Sequence, residues 1–180
     1  MLRTLLPLAA VFLASPAAAQ DWTIDTEASR VGFVTEAFGG SVEGEFTDYE
    51  AAITLDPSDL ANARIEARVG TASGSTGNGQ LDDSMLGEDG LAPQSHATAR
   101  FLSEDIRATD TGYEAHGTLS IRDTEQAVVL PFSLAIDGTR AIADAELEIA
   151  RTDYGVGASG WGDTAANVTI VLHIEADATD

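Results

Sequence analysis

The chain has 180 residues, contains no cysteine, and carries 30 acidic residues against nine basic ones, a formal net charge of −21 at pH 7. A surface this acidic repels nucleic-acid phosphates and anionic lipid headgroups, which argues against a nucleic-acid partner. Without cysteine, neither disulfides nor thiolate chemistry is available to the protein.

The first 19 residues have the pattern of a secretory signal peptide. A start with a positive charge at Arg3 precedes the apolar run 5–14 and the small residues 17–19. This run is too short for a membrane span, which needs about 20 apolar residues. We therefore expect cleavage before Gln20, export to the periplasm, and one domain of residues 20–180 that has no membrane span.

Alternation of apolar and polar residues, the signal of half-buried strands, dominates the first half of this domain. The predicted strands follow an opening at 22–25 and cover 29–34, 41–46, 51–55 and 64–69. In the second of them, Val42 and Phe46 share one face, and Glu43 and Glu45 share the other. One face of the predicted sheet is therefore apolar.

The alternation stops at 71–80, a Gly/Ser/Thr/Asn-rich stretch that predicts a loop. Residues 81–88 have helical spacing and predict one short helix. Strands resume at 98–102, 113–121, 128–136, 145–151 and 168–174, with turn signals at 110–112 and 137–138. The pattern predicts a mainly all-β fold of eight or nine strands, as either a closed barrel or a two-sheet sandwich.

Apolar residues on the inner face of such strands either fill a core or line a tunnel for an apolar ligand. A barrel of about eight strands has an interior wide enough for one small ligand. The candidate tunnel residues are Phe33, Val42, Phe46, Ile65, Phe101, Tyr113, Leu119, Phe132, Leu147 and Ile149.

Three residues near the end of the chain are candidates for the mouth of a tunnel. Strand parity points Arg151 inward, and a buried arginine must be paired. It either pairs with Asp153, Asp163 or a backbone carbonyl to hold the following turn, or presents its donors to a ligand headgroup. Tyr154 and Trp161, on glycine-flanked segments, are the other two candidates.

The side chains that usually carry catalysis are scattered along this sequence. The three histidines, His96, His116 and His173, lack the spacing of metal ligands, and no nucleophile motif is found. We therefore expect no metal, no cofactor and no catalytic residue.

Several stretches, in their order and spacing, resemble the YceI-like family, the polyisoprenoid-binding proteins that many bacteria export. They are Trp22-Thr23-Ile24-Asp25 with Ser29-x-Val31-x-Phe33, Val42-x-Gly44-x-Phe46, Ala99-Arg100-Phe101, Gly117-x-Leu119-x-Ile121-Arg122 with Val129-x-Pro131, and Arg151-x-Asp153-Tyr154-Gly155-Val156-Gly157. The resemblance covers residues 21–176. Two departures stand out, because Ala28 and Glu36 occupy positions near which the family usually has histidines.

This resemblance implies an extended, antiparallel, lipocalin-like β-barrel of about eight strands, with one short helix partly covering its mouth. It also implies a binding protein, not an enzyme, whose ligand is a long-chain isoprenoid lipid of quinone or polyprenyl type. The tunnel candidates would then hold the tail, and Arg151, Tyr154 and Trp161 the headgroup.

Two other classes of function stay open at this point. One is a stress-related interaction module whose barrel is filled by its own side chains, which a cavity too small for a C5 unit would favour. The other is a lipid hydrolase or isomerase, which needs inward-facing acids or histidines. An exposed edge strand would also allow a homodimer.

Overall fold

The structure is a computed structural model that describes residues 20–179, so the predicted signal peptide lies outside the described residues. The strands are β1 (Asp21–Ile24), β2 (Arg30–Ala37), β3 (Gly40–Phe46), β4 (Tyr49–Thr54), β5 (Arg64–Gly70), β6 (Gly74–Ser75), β7 (Thr98–Ala108), β8 (Tyr113–Ile121), β9 (Thr124–Asp137), β10 (Arg140–Ala150) and β11 (Thr164–Ala178). The α-helix is α1 (Gly79–Leu86), and short 3₁₀ turns lie at Leu60–Asn62, Thr71–Ser73 and Arg151–Tyr154.

Eight of these strands close into an antiparallel barrel, in the order β1-β4-β5-β7-β8-β9-β10-β11 and back to β1. The closing strand is β11, which pairs with β10 along one edge and with β1 and then β2 along the other. The strands β2, β3 and β6 extend the wall of the barrel beyond bends in the chain. The predicted barrel of about eight strands is therefore confirmed, and the sandwich alternative is wrong.

One end of the barrel is closed by packed side chains. Trp22 is buried there, and its indole Nε1 donates a hydrogen bond to the carbonyl of Leu55 at 2.9 Å. Ala63 and Ile106 are buried in the same cluster, beside the 3₁₀ turn Leu60–Asn62. The indole gives this plug both apolar contact and a satisfied polar atom.

The segment 71–80 departs from its prediction as a loop. It contains the 3₁₀ turn Thr71–Ser73 and the short strand β6, which pairs with β3. Thr71 is buried, and its hydroxyl donates to the carbonyl of His96 at 2.6 Å. A polar segment is predicted as a loop because its polar groups are expected to bind water. Here those groups bond to other parts of the protein instead, and this is why the prediction failed.

The helix α1 lies close to its predicted position but begins two residues earlier. Asn78 caps it, since its side-chain oxygen accepts from the backbone N–H of Gln80 at 3.0 Å. Asp82, in the first turn, accepts from the hydroxyls of Ser75 and Thr76. These hydroxyls and the backbone N–H of Thr76, which also donates to Asp82, lower the pKa of this carboxyl group. The backbone N–H contributes most. The cap and this carboxylate therefore attach the helix to the end of β6.

A network of ion pairs surrounds the bend between β1 and β2. Arg140 donates to Glu175 at 2.7 Å and to Asp25 at 3.0 Å, and these bonds lower the pKa of both carboxyl groups. His173 lies between Asp144, at 2.6 Å, and Glu175, at 3.3 Å. Its pKa is raised, first by the bond to Asp144 and then by the bond to Glu175.

We predict a pH-dependent effect of His173→Gln on stability. Because the pKa of His173 is raised above its ordinary value of 6.5, its contribution is fully present below that value and is lost as the pH rises through the folded-state pKa. Because the ion pair is partly exposed, the wild type and the variant should differ in Tm by only about 1–3 °C near pH 5.5. Near pH 9, where His173 has lost its charge, the difference should be smaller. A difference that is equal at both pH values would contradict this assignment.

Candidate functional site

A single elongated cavity of about 460 Å³ occupies the barrel, from the closed end at Trp22 to an open end at Phe38 and Trp161. The volume lies within the range of roughly 300–1,000 Å³ that is typical of small-molecule sites. Nearly all of its lining is aliphatic or aromatic. The barrel therefore encloses an apolar tube, which opens where Phe38 and Trp161 lie.

The incomplete burial of the inner side chains shows that they border open space. Phe33, Phe101, Leu147 and Ile149 point into the barrel, yet each is only partly buried. In a filled core these side chains would be almost fully buried. The interior is therefore hollow along the middle of the barrel.

Nine of the ten residues predicted to line a tunnel do line this cavity. They are Phe33, Val42, Phe46, Ile65, Phe101, Leu119, Phe132, Leu147 and Ile149. Their contact with a ligand remains a prediction, since the structure contains no ligand.

The prediction that Tyr113 lines the tunnel is not met, because Tyr113 is not among the residues that line the cavity. Its ring stacks on Phe132 with a centroid distance of 5.4 Å, and it packs against the cluster at the closed end. It begins β8, directly after the β7–β8 turn. The predicted inward direction fits this packing, but alternation says nothing about depth along the barrel axis, and Tyr113 lies below the cavity.

Small residues make the space, although they were not among the predicted tunnel residues. Alanines occupy inner positions on several strands, where larger side chains would fill the barrel. These alanines are Ala51, Ala67, Ala99, Ala143 and Ala145. The signal was present, because each has the same strand parity as the predicted apolar residues. Leu81 and Met85 of α1 complete the wall near the mouth.

Arg151 is buried at the mouth, with 8% of its surface exposed, and it binds only backbone carbonyls through its hydrogen bonds. Its guanidinium donates to the carbonyls of Val156 and Gly157, at 2.8 and 3.0 Å, and to those of Thr164 and Ala165, at 3.0 and 2.9 Å. The last two carbonyls lie where the pairing of β11 with β2 is irregular, so the arginine satisfies acceptors that the sheet leaves free.

Of the two roles open to Arg151, the structure supports the one that holds the mouth. Its partners are carbonyls and not Asp153 or Asp163, and four hydrogen bonds leave little of the guanidinium for a headgroup. Burial lowers its pKa, while the charge of Asp89 acts in the opposite direction. Gly157 lies against the guanidinium with φ of +62°, a position where a side chain would collide with both Arg151 and Trp161.

Tyr154 and Trp161 both line the cavity near this arginine. Trp161 stacks over Arg151, with 4.8 Å between the guanidinium carbon and the ring centroid. Tyr154 is only 2% exposed, and burial raises the pKa of its hydroxyl. Within residues 20–179 that hydroxyl makes no hydrogen bond, although no fully buried side-chain oxygen there lacks a partner. The hydroxyl oxygen therefore keeps a small accessible area, and Tyr154 is a lining residue of the cavity.

The arginines of the cavity wall are all engaged with other groups of the protein. Arg68 and Arg100 pair with Glu66, each at 3.0 Å, and Arg151 binds the four carbonyls. Arg122, just outside the mouth, also donates to carbonyls, those of Gly155 and Glu88. The cavity of the described chain therefore offers a ligand a mostly apolar wall whose arginines are engaged. Tyr154 and Tyr49 both line it, but the hydroxyl of Tyr49 donates to the carbonyls of Thr26 and Ser29.

The two positions near which related sequences were expected to carry histidine lie away from this cavity. Ala28 is in the bend between β1 and β2, where its N–H donates to Asp25 at 3.2 Å, and Glu36 is exposed on the outer face of β2. Neither lines the cavity. Their replacement therefore removes no contact from its wall.

Comparison with known proteins identifies the relatives of this chain. The family model of the YceI-like domain matches residues 22–176. The UPF0312 protein of Pseudomonas aeruginosa is 24% identical over 175 residues, covering 92% of this chain and 91% of its own, and that of Pseudomonas fluorescens is 27% identical over 181 residues with the same coverage.

Solved structures show the same barrel. BcnA of Burkholderia cenocepacia aligns with a TM-score of 0.79 and 26% identity, over 84% of this chain and 98% of its own. A domain from Saccharophagus degradans, described as polyisoprenoid binding and implicated in plant cell wall breakdown, aligns with a TM-score of 0.68 and 13% identity, over 88% and 98%. The second likeness concerns the fold alone.

We predict that Arg151→Met destabilises the protein strongly, since it leaves four carbonyl oxygens at the mouth without a donor. The expected loss is about 3 kcal/mol of unfolding free energy, measured by urea denaturation. The matched control is Arg107→Met, which removes an exposed pair with Asp105 and should cost far less. Equal losses in the two variants would contradict the structural role of Arg151.

Proposed function

Because the chain belongs to the YceI-like domain family, we propose that it binds a long-chain isoprenoid lipid in its barrel and carries it without changing it chemically. The description of the Saccharophagus domain as polyisoprenoid binding supports this class of ligand. We further propose that the protein works in the periplasm, on the basis of the signal-peptide pattern in residues 1–19.

The observation that carries this proposal is the hollow, apolar barrel. A tail of isoprene units needs only a dry tube of the right width, because each buried methylene contributes about 0.8 kcal/mol. A cavity of 460 Å³ lined by alanines and large apolar residues meets this need. It counts against an interaction module whose barrel is filled by its own side chains.

The lining of the cavity also favours carriage over catalysis. A lipid hydrolase or isomerase needs a general base near the ligand. The three histidines lie elsewhere: His96 near Asp123, His116 near Glu114, and His173 between Asp144 and Glu175. None of the three borders the cavity, and Glu50, the acid among the described lining residues, is exposed with the outward parity of β4.

The engaged arginines favour a ligand with an uncharged headgroup. A polyprenyl phosphate at the mouth would need free cationic donors. Arg151 and Arg122 both bind carbonyls there, and the net charge of −21 repels an anion. A quinone carbonyl needs only a neutral donor, which the hydroxyl of Tyr154 supplies. We therefore propose an isoprenoid quinone as the ligand.

We predict that an organic extract of the protein, purified from a bacterial periplasm, contains a stoichiometric isoprenoid with a neutral headgroup, detected by mass spectrometry. Ala51→Trp should abolish this ligand because it fills the cavity, whereas Ala52→Trp, on the outer face of the same strand, should retain it. An empty wild-type extract, repeated after incubation with ubiquinone, would contradict the function. A recovered polyprenyl phosphate would contradict only the headgroup.

We predict that Tyr154→Phe weakens quinone binding about 3- to 10-fold, the effect of losing one hydrogen bond of about 1 kcal/mol. Affinity is measured by titration with ubiquinone in detergent and, in parallel, with a hydrocarbon of similar length that has no oxygen. The variant should bind the hydrocarbon as the wild type does, because the apolar wall is unchanged. Equal weakening toward both ligands would assign Tyr154 to packing alone.

A further inference from the structure

The hairpin between β2 and β3 ends in an exposed aromatic residue. Phe38 is 70% exposed, more than any other large hydrophobic residue of the described chain. With Gly39 it forms the two-residue tip, and φ is +54° at Phe38 and +79° at Gly39. This turn favours asparagine or glycine at both positions. Phenylalanine is thus unfavourable here both for its backbone conformation and for its exposure, a combination that points to a function.

Phe38 belongs to the mouth of the cavity. It borders the open end together with Trp161, on the loop that precedes β11. The backbone N–H of Phe38 donates to the carbonyl of Asp163 at 3.2 Å, which joins the hairpin to that loop. Exposed Phe38 and Trp161, which is half-buried against Arg151, therefore lie on two joined segments at the same opening, and we call this pair the aromatic rim.

We propose that the aromatic rim, Phe38 and Trp161, docks the mouth of the barrel onto the surface of a lipid bilayer. Aromatic side chains are favoured at the boundary between headgroups and acyl chains. This inference rests on the proposed function, because an isoprenoid cargo dissolves in a membrane and must leave it through this opening. Docking of the mouth lets the tail move from lipid into the cavity without crossing water.

The size of the rim favours a bilayer over a protein partner. Two aromatic side chains can bury at most about 500 Å², below the roughly 800 Å² per partner of a standard protein interface. Weak, reversible contact is what a carrier requires, since it must leave the membrane again. A bilayer also needs no complementary shape.

Charge selects the kind of bilayer. Glu36 and Asp163 are exposed on the two segments that carry the rim, and the whole chain has a net charge of −21. Anionic headgroups would repel this surface. The docking surface is therefore one of neutral, zwitterionic lipids, and contact is reduced when anionic lipid is added.

The test is flotation of the purified protein with vesicles of phosphatidylcholine through a density gradient. Phe38→Asn should lower the fraction that floats about tenfold while the protein stays folded, because asparagine suits the left-handed turn. Phe38→Trp should retain flotation. The matched control is Ile136→Ser, which removes a hydrophobic residue 41% exposed at the closed end and should float as the wild type does.

Adding phosphatidylglycerol to the vesicles should reduce flotation of the wild type several-fold at low salt, and added NaCl should restore part of it. Equal flotation of wild type and Phe38→Asn would overturn the docking inference, as would a Phe38-dependent dimer in light scattering without vesicle binding. The organic extract is analysed separately. An empty extract would overturn the carrier function, and failure of the protein to float with the vesicles would overturn docking. The two failures are therefore distinguishable.

Discussion

The structure depends on the backbone ladder that β11 forms along both of its edges. One edge pairs with β10 from Arg140 to Ala150, and the other pairs first with β1 and then with β2. Closure joins the two ends of the eight-stranded sheet and sets which residues point inward, since a slip of one residue would turn every side chain to the opposite face. The inner apolar wall, the outer acids and the position of the mouth all follow from this register.

A hollow barrel gives up packing that a filled core would provide. Alanines such as Ala51 and Ala145 leave the interior open, so stabilisation must come from the closed ladder and from the plug at Trp22. The acidic exterior adds repulsion, which is partly offset where arginines gather carboxylates. Glu66 meets Arg68 and Arg100, and Arg140 meets three acids at the β1–β2 bend.

The mouth is organised by a different interaction, the buried guanidinium of Arg151. It binds carbonyls near the start of the glycine-rich loop 155–163 and just after its end, and it stacks with the ring of Trp161. A charge with no carboxylate bonded to it is stable there because four carbonyl dipoles solvate it. The same four hydrogen bonds leave little of the guanidinium for a further acceptor, so the main role of this arginine is to shape the opening.

The sequence by itself determined most of the strands, their apolar faces and the family, because alternation and turn residues act over a few neighbouring positions, but it missed β6. By parity it predicted nine residues that line the cavity and the inward direction of Arg151. Only the tertiary structure decided that the barrel is hollow, that Tyr113 lies below the cavity, and that Arg151 holds carbonyls of a bulged strand. The volume of a cavity is the space enclosed by the barrel wall minus the volume of the side chains that point inward from many strands. Depth and hydrogen-bond partners likewise depend on pairings between residues far apart in the chain, which no local pattern records.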